Sequence, residues 1–376
     1  MENFIICDGK KFIIENDTIY KVLNNKKRKA SKNELIKVKY VIENIDKDIF
    51  SSAKLNEIAK KNKVLYRIDI LPDILRRMEK FIGEELTETF YKNLETVRFE
   101  FDDPMECGEF IPNHENGYHD SLNNTIHINA ETFECLRIFA KENELDFNLV
   151  WKISLAHELF HMASCKNLLY ETGHIYQGLN VISYTKKYNK TVTDDINYGK
   201  SNSFNEGLTQ FLACAIYCNE LGDKKFHDFN NSYLVQARVI GQISNIIGGR
   251  TLKRAYFKNL GMSTIHASLL QINNLELTYN QLLTNMGRLG SPKTKTITKN
   301  TSIVKIQALL LLYETPYFYS LDKEDQERLV DRIDYYFVGL WKTMDNKNFS
   351  DETKALIQEN LNTLNHLREK QKTYKK

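Results

Sequence analysis

The residues best suited to chemistry in this 376-residue chain lie in LVWKISLAHELFHMAS, which contains His157-Glu158-Leu159-Phe160-His161. On an α-helix, positions four apart share a face, so both imidazoles can point at one ion. Glu158 is offset by one position, which sets its carboxylate beside a water on that ion, as a general base requires. Ile153, Leu155, Leu159 and Met162 make the other faces apolar, so the helix reads as buried. With nine histidines in the chain, composition alone rarely produces this pair around a Glu. The competing reading is two histidines packed or capping on a core helix.

A catalytic zinc site needs a third protein ligand and one open position. MASCKNLLYETGH follows His161, and His174 stands too far on for a third histidine in the same turn of chain. A Glu on a second helix is the alternative, and Ser203-Phe204-Asn205-Glu206-Gly207-Leu208-Thr209-Gln210 supplies one. Glu206 is expected to open an amphipathic helix that buries Leu208, Phe211, Leu212, Ala215 and Ile216. The same Ser203-x-x-Glu206 spacing is also a capping box, with Glu206 reaching back to the Ser203 amide. One carboxylate does not readily do both. The HELFH helix in the same chain favours the ligand.

HELFH followed 45 residues later by Asn-Glu-Gly-Leu-Thr resembles the gluzincin metallopeptidases, with spacing most like the lethal-factor-like and Pro-Pro endopeptidase branches. The likeness covers residues 145–212. It implies a zincin-like peptidase domain with one Zn2+ per chain on His157, His161 and Glu206, and Glu158 as general base. Gluzincins often carry an acid four residues after the ligand Glu, where it fixes the tautomer of a zinc histidine. Gln210 stands there instead, which bears on zinc affinity; simple solvent exposure is its other reading.

The resemblance also implies an oxyanion donor. Tyr198, eight residues before Glu206, is near where lethal-factor-like members carry their catalytic Tyr, with Tyr184, Tyr176 and His174 as rivals. Thr125-Ile126-His127-Ile128-Asn129 alternates as an exposed edge strand would. Zincins typically bind an extended peptide on such a strand upstream of the zinc helix, which makes Ile126, His127, Ile128 and Asn129 expected substrate-binding residues. An ordinary sheet strand is the alternative. His114 and His119 read as lone histidines without a ligand role.

The elements that must position these groups define an α+β chain: a zincin-like catalytic domain with a small mixed sheet and active-site helix, plus a mainly helical C-terminal domain. The expected regions are 1–89, 90–225 and 226–376. Residues 3–23 read as a hairpin, and the basic stretch 21–40 as a solvated loop. Segments 52–62 and 72–92 read as helices, the second started by Pro72. Residues 90–101 end in a strand, 131–164 read as two helices, and 174–200 as hairpins or a loop. Beyond Ser203 helix dominates, with breaks near Gly248-Gly249, Gly290-Ser291-Pro292 and Pro316 and a last helix from Asp351 to about Lys370.

Composition bounds the remaining classes. Hydrophobic residues make up 42%, enough for a core without staples, and 52 basic against 49 acidic residues leave +3. That balance neither requires nor excludes nucleic acid, but the lack of aromatics among the basic residues of 26–39 argues against it and leaves a peptide or protein as the expected partner. No apolar run reaches the roughly 18 residues of a membrane span, and MENFIICDGKKF has no signal-peptide pattern, so a cytoplasmic protein with reduced cysteines is expected. A rival from another class is a non-catalytic interaction protein with a structural or vestigial zinc site. Glu158 argues against it, since a structural site has no use for a base.

Overall fold

The computed structural model describes residues 4–373 except 24–25, 46, 49, 51, 84–87, 103–116, 173, 184–197, 223–232, 291–293 and 343–348. It divides into two compact units, Met1–Asn167 and Leu168–Lys376, where three regions were expected.

The first unit opens with four antiparallel strands in sequential order: β1 (Phe4–Cys7), β2 (Lys10–Glu15), β3 (Thr18–Leu23) and β4 (Lys26–Lys29). Asn16 and Asp17 both take positive φ, 47° and 60°, which lets a two-residue turn join β2 to β3 with the right twist. Helix α1 (Lys32–Asn44) packs Val38 and Val41 onto Ile5, Phe12 and Ile19. The basic stretch is therefore not a loop. The β4 backbone completes a ladder with β3 while its four basic side chains stay exposed, as suits an edge strand that must not recruit another. Ser31 and Glu34 form a true capping box at the start of α1. The Ser31 amide, donating to Glu34, is the main reason that carboxyl falls to about 2.

The helical stretch expected over 72–92 is two helices, α3 (Leu71–Ile82) after α2 (Ala53–Lys61), then α4 (Glu88–Thr96). Gly83, with φ of 56°, ends α3. Three strands follow in the spatial order β5 (Arg98–Asp102), β7 (Thr125–Asn129), β6 (Gly117–Asp120). β7 runs parallel to β5 and antiparallel to β6. The expected edge strand is thus the middle one, and the edges beside it are β5 and β6. Helices α5 (Ala130–Glu142) and α6 (Phe147–Ser164) complete the unit. Asp146 caps α6 by accepting the Asn148 amide at 2.6 Å. Buried residues surround α6 on most sides: Trp151 meets Phe133 edge-on at 4.8 Å, and Phe160 meets Phe81 at 6.4 Å.

β8 (Cys165–Leu168) ends at the first residue of the second unit, which continues with the single turn α7 (Leu169–Thr172) and a hairpin of β9 (His174–Gln177) and β10 (Asn180–Ser183). Helix α8 runs from Tyr198 to Ala215. It starts eight residues earlier than expected, so Glu206 does not open it. The helices described beyond it include α9 (Leu234–Ile247), α10 (Gly249–Phe257), α11 (Gly261–Ile272), α12 (Glu276–Gly290), α13 (Thr296–Ser320), α14 (Lys323–Lys342) and α15 (Asp351–Thr373). The expected break at Gly248 is present, with φ of 83°. That at Pro316 is not. Proline removes the amide that would bond the Leu312 carbonyl, and Asn273 Nδ2 donates to that oxygen instead at 2.8 Å. The fold is α+β and mainly helical.

Candidate metal centre

His157 and His161 sit on α6 one turn apart, each 6% exposed. Their Nε2 atoms approach to 3.2 Å with the rings tilted 72°. Two nitrogens at about 2.0–2.1 Å from a tetrahedral zinc stand about 3.4 Å apart, so this spacing fits shared ligation. The ligand atoms of His157, His161 and Glu206 all lie within 4.8 Å of one another. Two imidazoles and one carboxylate are the donor set of several catalytic zinc enzymes. Glu158, half-buried on the next position of α6, lies against the sheet edge: a Cβ on Gly117 of β6 would stand 3.7 Å from its Cγ.

The capping-box alternative for Glu206 does not hold. Ser203 lies inside α8, five residues past its start, so no helix begins there for Glu206 to cap. Ser203 is buried, and its Oγ would meet a Cβ on Gly290 at 2.1 Å, so it packs against the end of α12.

Each residue around Glu206 has a separate positional task. Asn205 Oδ1 accepts the Leu179 amide at 2.8 Å and so holds the β9–β10 turn. Gly178 in that turn has φ of 60°, and a Cβ there would strike Asn205 Oδ1 at 2.2 Å. Gly207 lets α9 approach, since a Cβ would meet Gln236 Cβ at 2.7 Å and its carbonyl carbon at 2.9 Å. Leu208 is fully buried, and Thr209 Oγ1 pairs with the Tyr256 hydroxyl of α10 at 2.7 Å. Glu206 is the half-buried carboxylate in this frame.

Gln210 is 2% exposed, which removes the reading of it as a solvated surface residue. Its Nε2 donates to Cys214 Sγ at 3.1 Å. Burial pushes the Cys214 thiol up to about 12, so the thiol stays protonated.

Tyr198 is the first residue of α8, and its side chain lies outside the described residues, as does all of Tyr184. His174 and Tyr176 share a face of β9 with ring centroids 6.3 Å apart. The substrate-binding expectation on β7 needs correction. Its backbone pairs on both sides, so no second chain can add to it, and Ile126 and Ile128 are core residues at 0% and 2% exposure. His127 stacks on Tyr118 at 4.4 Å and approaches Glu100 of β5 at 3.5 Å. The Asn129 side chain lies outside the described residues.

Three residues with no motif signal, His119, Asn93 and Asn124, link β6 to the end of α6. His119 is 8% exposed on the same face of β6 as Gly117, and burial pushes its imidazole down to about 4, so it is neutral. Asn93 and Asn124 join it to α6. Cys7, Asp8 and Asp69 form a second group of possible donors, in which Lys37 already pairs with Asp8.

No protein-family model, no curated protein and no solved structure matches this chain.

Proposed function

We propose that the protein is a zinc metallopeptidase of gluzincin type, holding zinc through His157, His161 and Glu206. The observation that carries this reading is the convergence of those three ligand atoms within 4.8 Å, beside a Glu with no ligand role. Zinc in such a site supplies Lewis acidity, making water nucleophilic near neutral pH and polarising a carbonyl. Glu158 then takes a proton from the attacking water and returns it to the departing amine. The buried flanks of α6 pack around both imidazoles and restrict their movement.

Substrate placement moves from β7 to β6. β6 is an edge strand, it runs antiparallel to its neighbour where the other edge, β5, runs parallel, and its Gly117 lies against Glu158. An extended peptide adding to β6 would pass beside the general base. Tyr198 remains the proposed oxyanion donor. A peptide-library digest by the parent protein and by Glu158→Gln tests the reading. The parent should cleave and the variant should not, although both bind zinc. A zinc-bound parent that cuts nothing in the library would favour the non-catalytic interaction protein.

A further inference from the structure

Two asparagines tie the last turn of α6 to the strand edge beside it. α6 ends at Ser164, where the Cys165 amide closes the last turn on the Met162 carbonyl and leaves that oxygen's second lone pair open to a side-chain donor. Asn93 on α4 supplies one: its Nδ2 donates to Met162 O and to Cys165 O, both at 2.8 Å. Met162 directly follows His161, and the Ser164 hydroxyl donates to the His161 carbonyl at 3.0 Å. Asn124, in the turn between β6 and β7, donates its own Nδ2 to Asn93 O at 2.7 Å and to Thr96 Oγ1 at 2.9 Å.

Those two donations fix which end of the Asn124 amide is nitrogen. Its Oδ1 therefore faces His119 Nε2 at 3.2 Å, and the imidazole must donate there. Asn124 has φ of 50°, a conformation that Asn tolerates and most residues do not. An unbroken polar chain thus runs from the end of α6 through Asn93 and Asn124 to His119 on the strand beside Glu158.

Helix ends fray, and His161 lies in the final turn of α6 while His157 lies one turn deeper. We propose that Asn93 and Asn124 are positioning residues for the metal ligand His161, clamping its turn so that the imidazole is held in ligating geometry before metal arrives. The inference rests on the metal reading above. Outer partners of this kind typically change metal affinity by about 10–100-fold.

The test uses the full chain and zinc alone. Asn93→Ala sits inside α4, where Ala is the best helix former, so the helix should persist. Asn124→Gly keeps the positive φ without strain. Zinc affinity by chelator competition, the visible spectrum after Co2+ loading and the unfolding midpoint of zinc-free protein are read for each. The clamp predicts a zinc Kd raised about 10–100-fold in both variants and an altered Co2+ spectrum. A Kd within threefold of the parent, with only the zinc-free midpoint lowered, overturns it. If Asn93→Ala does not fold, Asn124→Gly decides; if neither folds, the asparagines serve the fold and the proposal falls. A parent that takes up no zinc overturns the metal reading itself, a result distinct from parental affinity in the variants.

Discussion

Glu158 is the member of the His-Glu-Leu-Phe-His segment that ligation does not require, so its substitution separates binding from chemistry. Glu158→Gln should fold and hold zinc while peptide cleavage falls at least about 10²-fold, the lower range for losing a general base. Tyr198→Phe should keep zinc and substrate binding and lower kcat about 10²–10³-fold, as for loss of one oxyanion donor. Parallel changes at Tyr176, Tyr184 and His174 identify the donor if Tyr198→Phe turns over at the parental rate. Gly207→Ala acts by a different route. Its methyl would meet the Gln236 backbone at 2.9 Å, an obstruction that cannot rotate away, so chemical denaturation should show a loss of about 1–3 kcal/mol. At this scale the sequence was most informative: spacing of four on a helix brought His157 and His161 together as read. The tasks of Asn205, Gly207 and Thr209 were not legible, because each depends on a partner from a distant segment: Leu179, Gln236 and Tyr256.

Two Ser-x-x-Glu patterns in the chain have opposite outcomes at the scale of the element. Ser31-x-x-Glu34 opens α1 and forms both capping hydrogen bonds; Ser203-x-x-Glu206 lies inside α8. Four residues cannot report where a helix starts, and Tyr198-Gly199-Lys200 carries no strong start signal, so sequence left the cap and the ligand both open. Ser31→Ala should therefore lower stability by about 0.5–2 kcal/mol through loss of a cap, whereas Ser203→Ala has no cap to lose. The edge expected at β7 failed for a related reason. Alternation shows that a strand has two unlike faces, but the neighbours along its edges are chosen by β5 and β6, and nothing within Thr125–Asn129 encodes them. α13 adds a pH dependence. Glu314 is fully buried beside the Gln242 amide, and burial pushes its carboxyl from 4.5 up to about 8. The folded chain then holds a proton that the unfolded chain has released, so stability falls as pH rises from about 4.5 to about 8. Glu314→Gln should remove that part of the slope and unfold at a higher temperature than the parent at pH 8, with little difference near pH 4.5.

Over the whole molecule, the α+β class and the helical second half followed from periodicity and breakers, since those signals are local. The basic stretch 21–40 misled because charge reports solvent exposure and not backbone pairing; β4 is exposed and paired at once. Among the described residues no helix is long and apolar enough to cross a membrane, and the five described cysteines are all free. The proposed chemistry depends first on His157, His161 and Glu206 holding one zinc ion. Metal analysis of the full chain purified without added zinc, alongside Glu206→Ala, tests it most directly. About one zinc per parent chain and near none in a folded Glu206→Ala protein are expected. Zinc retained in full by Glu206→Ala, or absent from the parent even after zinc is supplied, would contradict that ligation.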